Sequence, residues 1–430
     1  MASSPPITAP RTGPLPRFVD YFWTTQLGGW VDVARRHPSI ASTAIISVVA
    51  ATIYIGTSSR EAQPLDYFVR LADGFLHGRL GVDEAPSWLN ELIPAGPNLW
   101  YVPYPPMPAI LLIPLVAIFG TGLHQQIVSS LLGGVTVGLA WLVLGQFALT
   151  VSRRFLLTLV FGFGTVLWYV AEVGSVWYFA HVVAVMFSLG AILLAMRQQW
   201  PFVAGLLLGC ATTSRLPVGL TAPFILAMLV GVGWPPRVPA GWLESLRRTV
   251  LFGLGLALPV GLYALYNVAR WGTPLDQGYV QIPGVLEDPI YAQHGILSIW
   301  YLPRHLYAIF LRSWNFVDDP PFLQPSWWGL SLFLTTPLFL WLGRARLRDP
   351  RVLWAVVGIA LALIPIVTHG NIGISQFGYR FSLDVQPLLF VVLATAFERG
   401  MSRAAVLAAL TSIAVCAYAI WAISIEFVAY

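Results

Sequence analysis

Apolar runs of roughly 15 to 20 residues recur along the chain from Ser39 to the C-terminus. Only 10% of the 430 residues are charged and 57% are hydrophobic, which is far too little charge for a soluble domain of this size. A helix needs about 20 consecutive apolar residues to cross a bilayer, and many runs come close to that length. Solid apolar runs also exclude a membrane β-barrel, whose strands alternate. We therefore predict an all-α, polytopic membrane protein.

The arginines predict how the chain threads the membrane, because positive residues near span ends favour the cytoplasm. Arg35 and Arg36 place residues 1–38 inside, as a cytoplasmic tail that we expect to be partly disordered. Met107–Phe119 is short for a crossing, and if it crossed, most later arginine clusters would lie outside. The arginines thus predict about 11 transmembrane helices in one domain, 39–430, with the C-terminus outside.

This topology gives the outer face three polar regions, in which we expect the function to lie. They are the first extracytoplasmic loop with juxtamembrane helices (56–126), a second large loop (270–325) and a short loop (369–384). Arg215 and Arg380 lie at outer span ends, although positive residues near span ends usually lie on the cytoplasmic side. Arginine suits bidentate binding of phosphate, with lipid headgroups as the alternative ligand.

Four ionisable residues of the first loop follow helical spacing. Asp66, Arg70, Asp73 and His77 are separated by 4, 3 and 4 residues, which places them on one stripe of a helix. We predict a short amphipathic helix over Asp66–Leu80 that lies on the membrane. The stripe is either a set of solvated ion pairs or a source of a general base that faces a cavity.

Aromatic and ionisable residues at other outer positions allow two interpretations each. Tyr101 and Tyr104, in a proline-rich stretch, are typical of interfacial anchoring but also suit a sugar or lipid groove. Glu172 and His181 flank a short outer turn, where they either reach the headgroups or complete a site with the first loop.

Three segments resemble a known family. The stretch from Gln63 to Leu80 is similar to the first-loop signature of GT-C glycosyltransferases of the protein mannosyltransferase and aminoarabinose transferase kind. The stretches Trp100–Pro114 and Gly378–Pro387 are similar to later segments of these enzymes. GT-C enzymes of this kind are polytopic and move a sugar from a polyprenyl-phosphate carrier to an acceptor at the outer membrane face.

The resemblance implies an integral glycosyltransferase of the cell (plasma or inner) membrane that serves the cell envelope. Its partners would be a polyprenyl-phosphate-linked hexose or pentose, a glycan, lipid or protein acceptor, and membrane lipids, but no nucleic acid. We expect inversion at the sugar, with Asp66 ahead of Asp73 as the catalytic carboxylate. No cofactor or metal motif is visible. The expected substrate-binding residues are Arg380, Arg215, His181, Glu172, Tyr67, His77, Tyr101, Tyr104 and Tyr379.

The chain departs from the family pattern at two acidic positions. Gln63 stands where the catalytic aspartate is expected, and His181 aligns with a second family acid. Two alternatives therefore remain open: a catalytically inactive GT-C-like protein, and a lipid or solute transporter or flippase. A transporter would favour ionisable residues at mid-span and repeated halves, whereas these charges gather at outer span ends.

Overall fold

The computed structural model describes residues 38–58, 65–233 and 241–428. In these residues the regular structure is almost entirely helical, and the strands form two short antiparallel pairs. The strand pairs are β1 (Ile93–Gly96) with β2 (Leu99–Tyr101), and β3 (Asn315–Phe316) with β4 (Leu323–Gln324). The predicted all-α class is therefore confirmed. Gln63, at the expected position of the family acid, lies outside the described residues.

Fifteen α-helices are formed by the described residues. In chain order they are α1 (Pro38–Thr57), α2 (Tyr67–Leu76), α3 (Met107–Phe119), α4 (Gln125–Leu144), α5 (Val151–Phe163), α6 (Leu167–Val173), α7 (Val176–Met196), α8 (Pro201–Thr212), α9 (Ala222–Val230), α10 (Trp242–Trp271), α11 (Leu302–Phe310), α12 (Leu332–Thr335), α13 (Pro350–Thr368), α14 (Gln386–Phe397) and α15 (Arg403–Val428). The chain divides into a unit that ends at Ile45 and a second unit from Ile46 to Tyr430.

Helix length limits the number of membrane crossings. Six described helices are long and apolar enough to cross a bilayer, namely α1, α4, α7, α10, α13 and α15. The pair α5 and α6, bent by 48° at a short break, makes a seventh if it acts as one span. The predicted number of about 11 transmembrane helices is therefore not confirmed. The expectation of several membrane-spanning helices is confirmed.

The remaining apolar runs are divided into short helices. Helices α8 and α14 have 12 residues each and α9 has 9, so each is shorter than the roughly 30 Å hydrocarbon layer. The apolar run at 327–342 contains a 4-residue helix, α12, which is followed by a 3₁₀-helix at Pro337–Arg344. Pro337 has no N–H to continue α12, and this explains the break.

The first loop contains the two helices that the sequence predicts. Helix α3 has the predicted bounds, and α2 covers the first part of the expected stretch before Gly78 turns the chain with a positive φ. Phe68 and Leu71 of α2 are fully buried and share one apolar cluster with Ala109 and Leu112 of α3. The strands β1 and β2 lie between the two helices in sequence and place Glu91 at the entry to the hairpin.

Two glycines allow helices α8 and α10 to approach closely. A Cβ atom at Gly205 would collide with the carbonyl oxygen of Phe252, and one at Gly255 would collide with that of Phe202. Each glycine thus accommodates the backbone of the partner helix. Small residues at such contacts favour helix association in membranes, where apolar burial alone supplies no driving force.

We predict that Gly205→Ala destabilises the protein by about 1–3 kcal/mol, because the added methyl group must push the α10 backbone away. The matched control is Gly253→Ala in α10, where the added Cβ would meet no atom within 4 Å. The measurement is the thermal unfolding midpoint in detergent. Equal midpoints for the two variants would show that the close approach contributes nothing to stability.

Candidate functional site

One cavity of about 420 Å³ is lined by residues from all three regions that the sequence predicts at the outer face. The first loop contributes Glu91 and Tyr104, the second contributes Tyr279, and the third contributes His369 and Arg380. Apolar residues close another part of the wall: Leu216, Pro217, Ile296, Leu297, Pro365 and Ile366. The cavity therefore combines a polar end with an apolar wall formed partly by the end of α13.

Arg380 is a buried cation of the cavity wall. It begins the 3₁₀-helix Arg380–Asp384, is only 5% exposed, and donates one hydrogen bond from Nη1 to the carbonyl oxygen of Ile374 at 3.0 Å. Its guanidinium lies 5.8 Å from the ring centroid of Trp177 and 5.3 Å from that of Phe381. It forms no ion pair with an acidic side chain of the described residues, and its buried Nε has no hydrogen-bond partner among them. Such a site suits an anion with several acceptor oxygens.

A second cation, Arg215, is held by a carboxylate. Its Nε and Nη2 atoms donate to Oδ1 and Oδ2 of Asp384 at 3.2 and 3.0 Å. His181 lies 2.9 Å from the same carboxylate through its Nδ1 atom, and its Nε2 is buried without a partner among the described residues. The Asp384 side chain is fully buried, whereas that of Arg215 is 26% exposed. Asp384 thus fixes Arg215 and His181 in the wall of one cavity.

Glu91 is the carboxylate of the first loop that reaches the cavity. Its Oε2 accepts a hydrogen bond from Nε1 of Trp177 at 3.2 Å, and the same N–H is shared with the Tyr104 hydroxyl at 2.7 Å. The backbone N–H of Glu91 donates to the Tyr67 hydroxyl at 3.0 Å. Burial raises the pKa of Glu91 to about 7, against the opposing effects of the Trp177 hydrogen bond and the charge of Arg380. A carboxylate with this pKa can exchange a proton near neutral pH.

Aromatic rings and further polar groups form the wall contributed by the second and third loops. The Tyr279 ring lies 5.2 Å from that of His369, and the Tyr279 and Tyr291 hydroxyls are hydrogen-bonded at 3.1 Å. Burial lowers the pKa of His369 to about 4, so this imidazole is neutral at physiological pH. Burial also raises the pKa of Asp276, which lies in the same wall. Flat rings with hydroxyl and amide groups suit a sugar.

The structure brings four of the predicted site residues together in this cavity, namely Arg380, Arg215, His181 and Tyr104.

The two predicted catalytic carboxylates lie elsewhere. Asp66 pairs with Arg70 at 3.2 Å and borders a separate, smaller cavity beside Gln125. Asp73 lies 3.4 Å from Arg79 and from His77. The charged stripe of α2 is therefore an ion-paired helix surface. Partners four to six residues away in the chain satisfy these carboxylates locally, and neither carboxylate lines the cavity that contains Glu91 and Arg380.

The other predicted ligands do not line this cavity. Tyr67 supports the backbone of Glu91, and Tyr379 is hydrogen-bonded to Nδ1 of His305 at 2.6 Å. Tyr101 packs edge-on against Trp271 with centroids 5.2 Å apart. Glu172 is buried at the end of α6, its Oε2 has no partner among the described residues, and it does not line the cavity that contains Arg380. The predicted ligand His77 is exposed.

Sequence reasoning did not assign a role to Glu91, Asp384, Tyr279 or His369. A signal for Glu91 exists in the sequence, since it is the last acidic residue before the proline-rich aromatic stretch that begins near Trp100. Asp384 lies within the third segment of the family resemblance, Gly378–Pro387. In the described parts of the chain, no group of three or more His, Cys, Asp or Glu residues could hold a metal ion.

The chain matches no family model and no curated protein. Among solved structures it is similar to the crystal structure of ArnT from Cupriavidus metallidurans bound to undecaprenyl phosphate. The TM-score is 0.47 at 12% sequence identity, and the match covers 85% of this chain and 61% of that chain. The present chain thus spans less than two thirds of the length of ArnT.

The raised pKa of Glu91 predicts a pH-dependent cost to stability. Because the folded-state pKa lies above the ordinary value of 4.5, folding favours the protonated carboxyl, and stability is lost as pH rises toward about 7. Glu91→Gln should therefore raise the thermal midpoint relative to the wild type above about pH 7, and have little effect below about pH 4.5. Glu84→Gln, on an exposed side chain of the same loop, is the control. A pH-independent difference for Glu91→Gln would contradict this account.

Proposed function

We propose that the chain is a membrane glycosyltransferase of GT-C type that moves a sugar from a polyprenyl-phosphate donor to an acceptor at the extracytoplasmic face. The observation that carries this proposal is that two groups line one cavity. Arg380 is a buried cation without an ion-pair partner among the described residues, and Glu91 is a carboxyl group of pKa about 7. The sequence motifs quoted above support the same reaction class.

Arg380 binds the donor phosphate, and Arg215 assists from the neighbouring wall. Both guanidinium groups lie 5.3 Å from the ring centroid of Phe381, so they flank the same part of the cavity. The apolar wall at Leu216 and Ile366 is suited to the first isoprene units of the lipid, because these side chains belong to helices whose other faces are exposed and apolar. The sugar then occupies the aromatic end of the cavity.

Glu91 acts as the general base. It takes the proton of the acceptor hydroxyl while the acceptor oxygen forms a bond to the anomeric carbon of the sugar. The bond between that carbon and the phosphate oxygen breaks, and its electron pair stays on the lipid phosphate, where Arg380 stabilises the new charge. Attack opposite the leaving phosphate inverts the anomeric centre. Asp66 and Asp73 are the competing assignment for the base, made from the sequence.

The two assignments predict opposite results in a transfer assay. We expect Glu91→Gln to lower kcat by about 10²–10⁴-fold without weakening the binding of undecaprenyl phosphate, because proton removal is lost while Arg380 stays in place. The double variant Asp66→Asn/Asp73→Asn should keep most activity, because both carboxylates are satisfied by ion pairs outside the cavity. The assay uses proteoliposomes, a panel of undecaprenyl-phospho-hexoses and pentoses, and cell-envelope extract as acceptor. Full activity of Glu91→Gln would remove Glu91 as the base.

Arg380→Gln should weaken binding of undecaprenyl phosphate by at least about tenfold, because it removes a buried charge from the phosphate site. Arg304→Gln is a matched control, since Arg304 donates to the carbonyl oxygen of Gly370 outside the cavity lining. If both variants bind the lipid like the wild type, the phosphate site and the proposed function are wrong.

Trp177→Phe tests how Glu91 is tuned. The indole N–H stabilises the charged carboxylate, so its loss should raise the pKa of Glu91 above about 7. The acidic limb of the kcat/KM profile should then move to higher pH, with little change at alkaline pH, where Glu91 is ionised in both proteins. Trp88→Phe changes an exposed side chain of the first loop, which also carries Glu91, and should leave the profile unchanged.

A further inference from the structure

Asp384 lowers the net positive charge at the phosphate end of the cavity, which is the part formed by Arg215 and Arg380. Both of its oxygens accept from Arg215, at 3.0 and 3.2 Å, and Oδ1 also lies 2.9 Å from Nδ1 of His181. Its side chain has no exposed surface. An ionised carboxylate in such a position is stable because its oxygens are bonded to a cation and to a second donor.

The three side chains together carry no net charge. Because the carboxylate only accepts hydrogen bonds, Nδ1 of His181 carries the proton. Nε2 is buried without a partner among the described residues, so a second proton there would be an unsatisfied donor, and the imidazole is neutral. The charges of Arg215 and Asp384 cancel. Arg380, which lies against the same Phe381 ring as Arg215, is then the uncompensated positive charge at this end of the cavity among the described residues.

We infer that Asp384 is a specificity-determining residue, which lowers the positive charge of the phosphate end so that a phosphodiester monoanion is held and a phosphate monoester dianion is released. This inference rests on the proposed function. The donor is a phosphodiester with one negative charge, whereas the lipid product is a monoester with about −1.5 to −2 at neutral pH. The cost of removing an ion from water rises steeply with its charge, so one cation matches the donor better than the product.

The proton on Glu91 determines when the total charge of the cavity changes after sugar transfer. While Glu91 holds the acceptor proton, the total charge of the cavity is the same before and after the reaction. When Glu91 passes this proton to water, its carboxylate and the lipid dianion face one uncompensated cation, Arg380. The other ionisable side chains of the wall are His369, Asp276, Tyr104 and Tyr279, and none of them adds a positive charge. Product release thus follows loss of the proton from Glu91.

The test compares two lipids that differ by one charge, undecaprenyl phosphate and its methyl ester, on protein in lipid nanodiscs at about pH 8, where the monoester is a dianion. The wild type should bind the methyl ester at least as tightly as the monoester. Asp384→Asn adds one net positive charge close to the phosphate and should shift the affinity ratio toward the monoester by about tenfold or more. A loss of structure alone would weaken both lipids alike and leave their ratio unchanged.

The double variant Arg215→Gln/Asp384→Asn keeps the protein testable if the single variant folds poorly. It removes both charges of the pair and leaves Arg380 as the uncompensated cation, so the affinity ratio should return toward that of the wild type. A single variant that binds the methyl ester like the wild type but has an unchanged ratio, or a double variant that behaves like the single one, overturns the inference. If the wild type binds neither lipid and Arg380→Gln changes nothing, the proposed function itself fails.

Discussion

Burial of guanidinium charge within a helical membrane protein is the constraint around which the candidate site is organised. Such a charge is stable only with acceptors, rings or a counter-ion near it. The chain uses two different solutions for Arg215 and Arg380. The first is neutralised by Asp384, whereas the second has one carbonyl acceptor and a surround of aromatic rings. The difference between these surroundings distinguishes a cation whose charge is cancelled by a carboxylate from one whose charge is available to a ligand.

Glu91 shows how the same low-polarity surroundings prepare a base. The indole N–H of Trp177 and the charge of Arg380 both favour the carboxylate, but burial outweighs them and holds the pKa of Glu91 near 7. Tyr67 fixes the backbone at this position, and Trp177 reaches it from the start of α7. A helix of the first loop and a membrane-spanning helix therefore jointly determine one ionisation.

The sequence predicts local features well and long-range ones poorly. Charge position alone indicated Arg215 and Arg380, because outward arginines oppose the usual distribution. The bounds of α3 follow from its prolines and its apolar composition. The number of membrane-spanning helices was harder to predict. An apolar run does not reveal whether it forms one long helix or, as at Pro337, two short ones. Helical spacing indicated Asp66 and Asp73, yet the same spacing places Arg70 and His77 beside them as local partners. Glu91 has its main partner far along the chain at Trp177, which no local pattern indicates.

The walls of the cavity come from distant parts of the chain, with Glu91 early, Tyr279 in the middle and Phe381 late. During synthesis, the pocket cannot exist until the segment that carries Arg380 has left the ribosome and packed against α7. Every earlier intermediate contains Glu91 but not yet Arg380. A ligand that binds only the finished pocket would act as a thermodynamic check on complete membrane assembly, since it stabilises the fully folded chain and no partly inserted form.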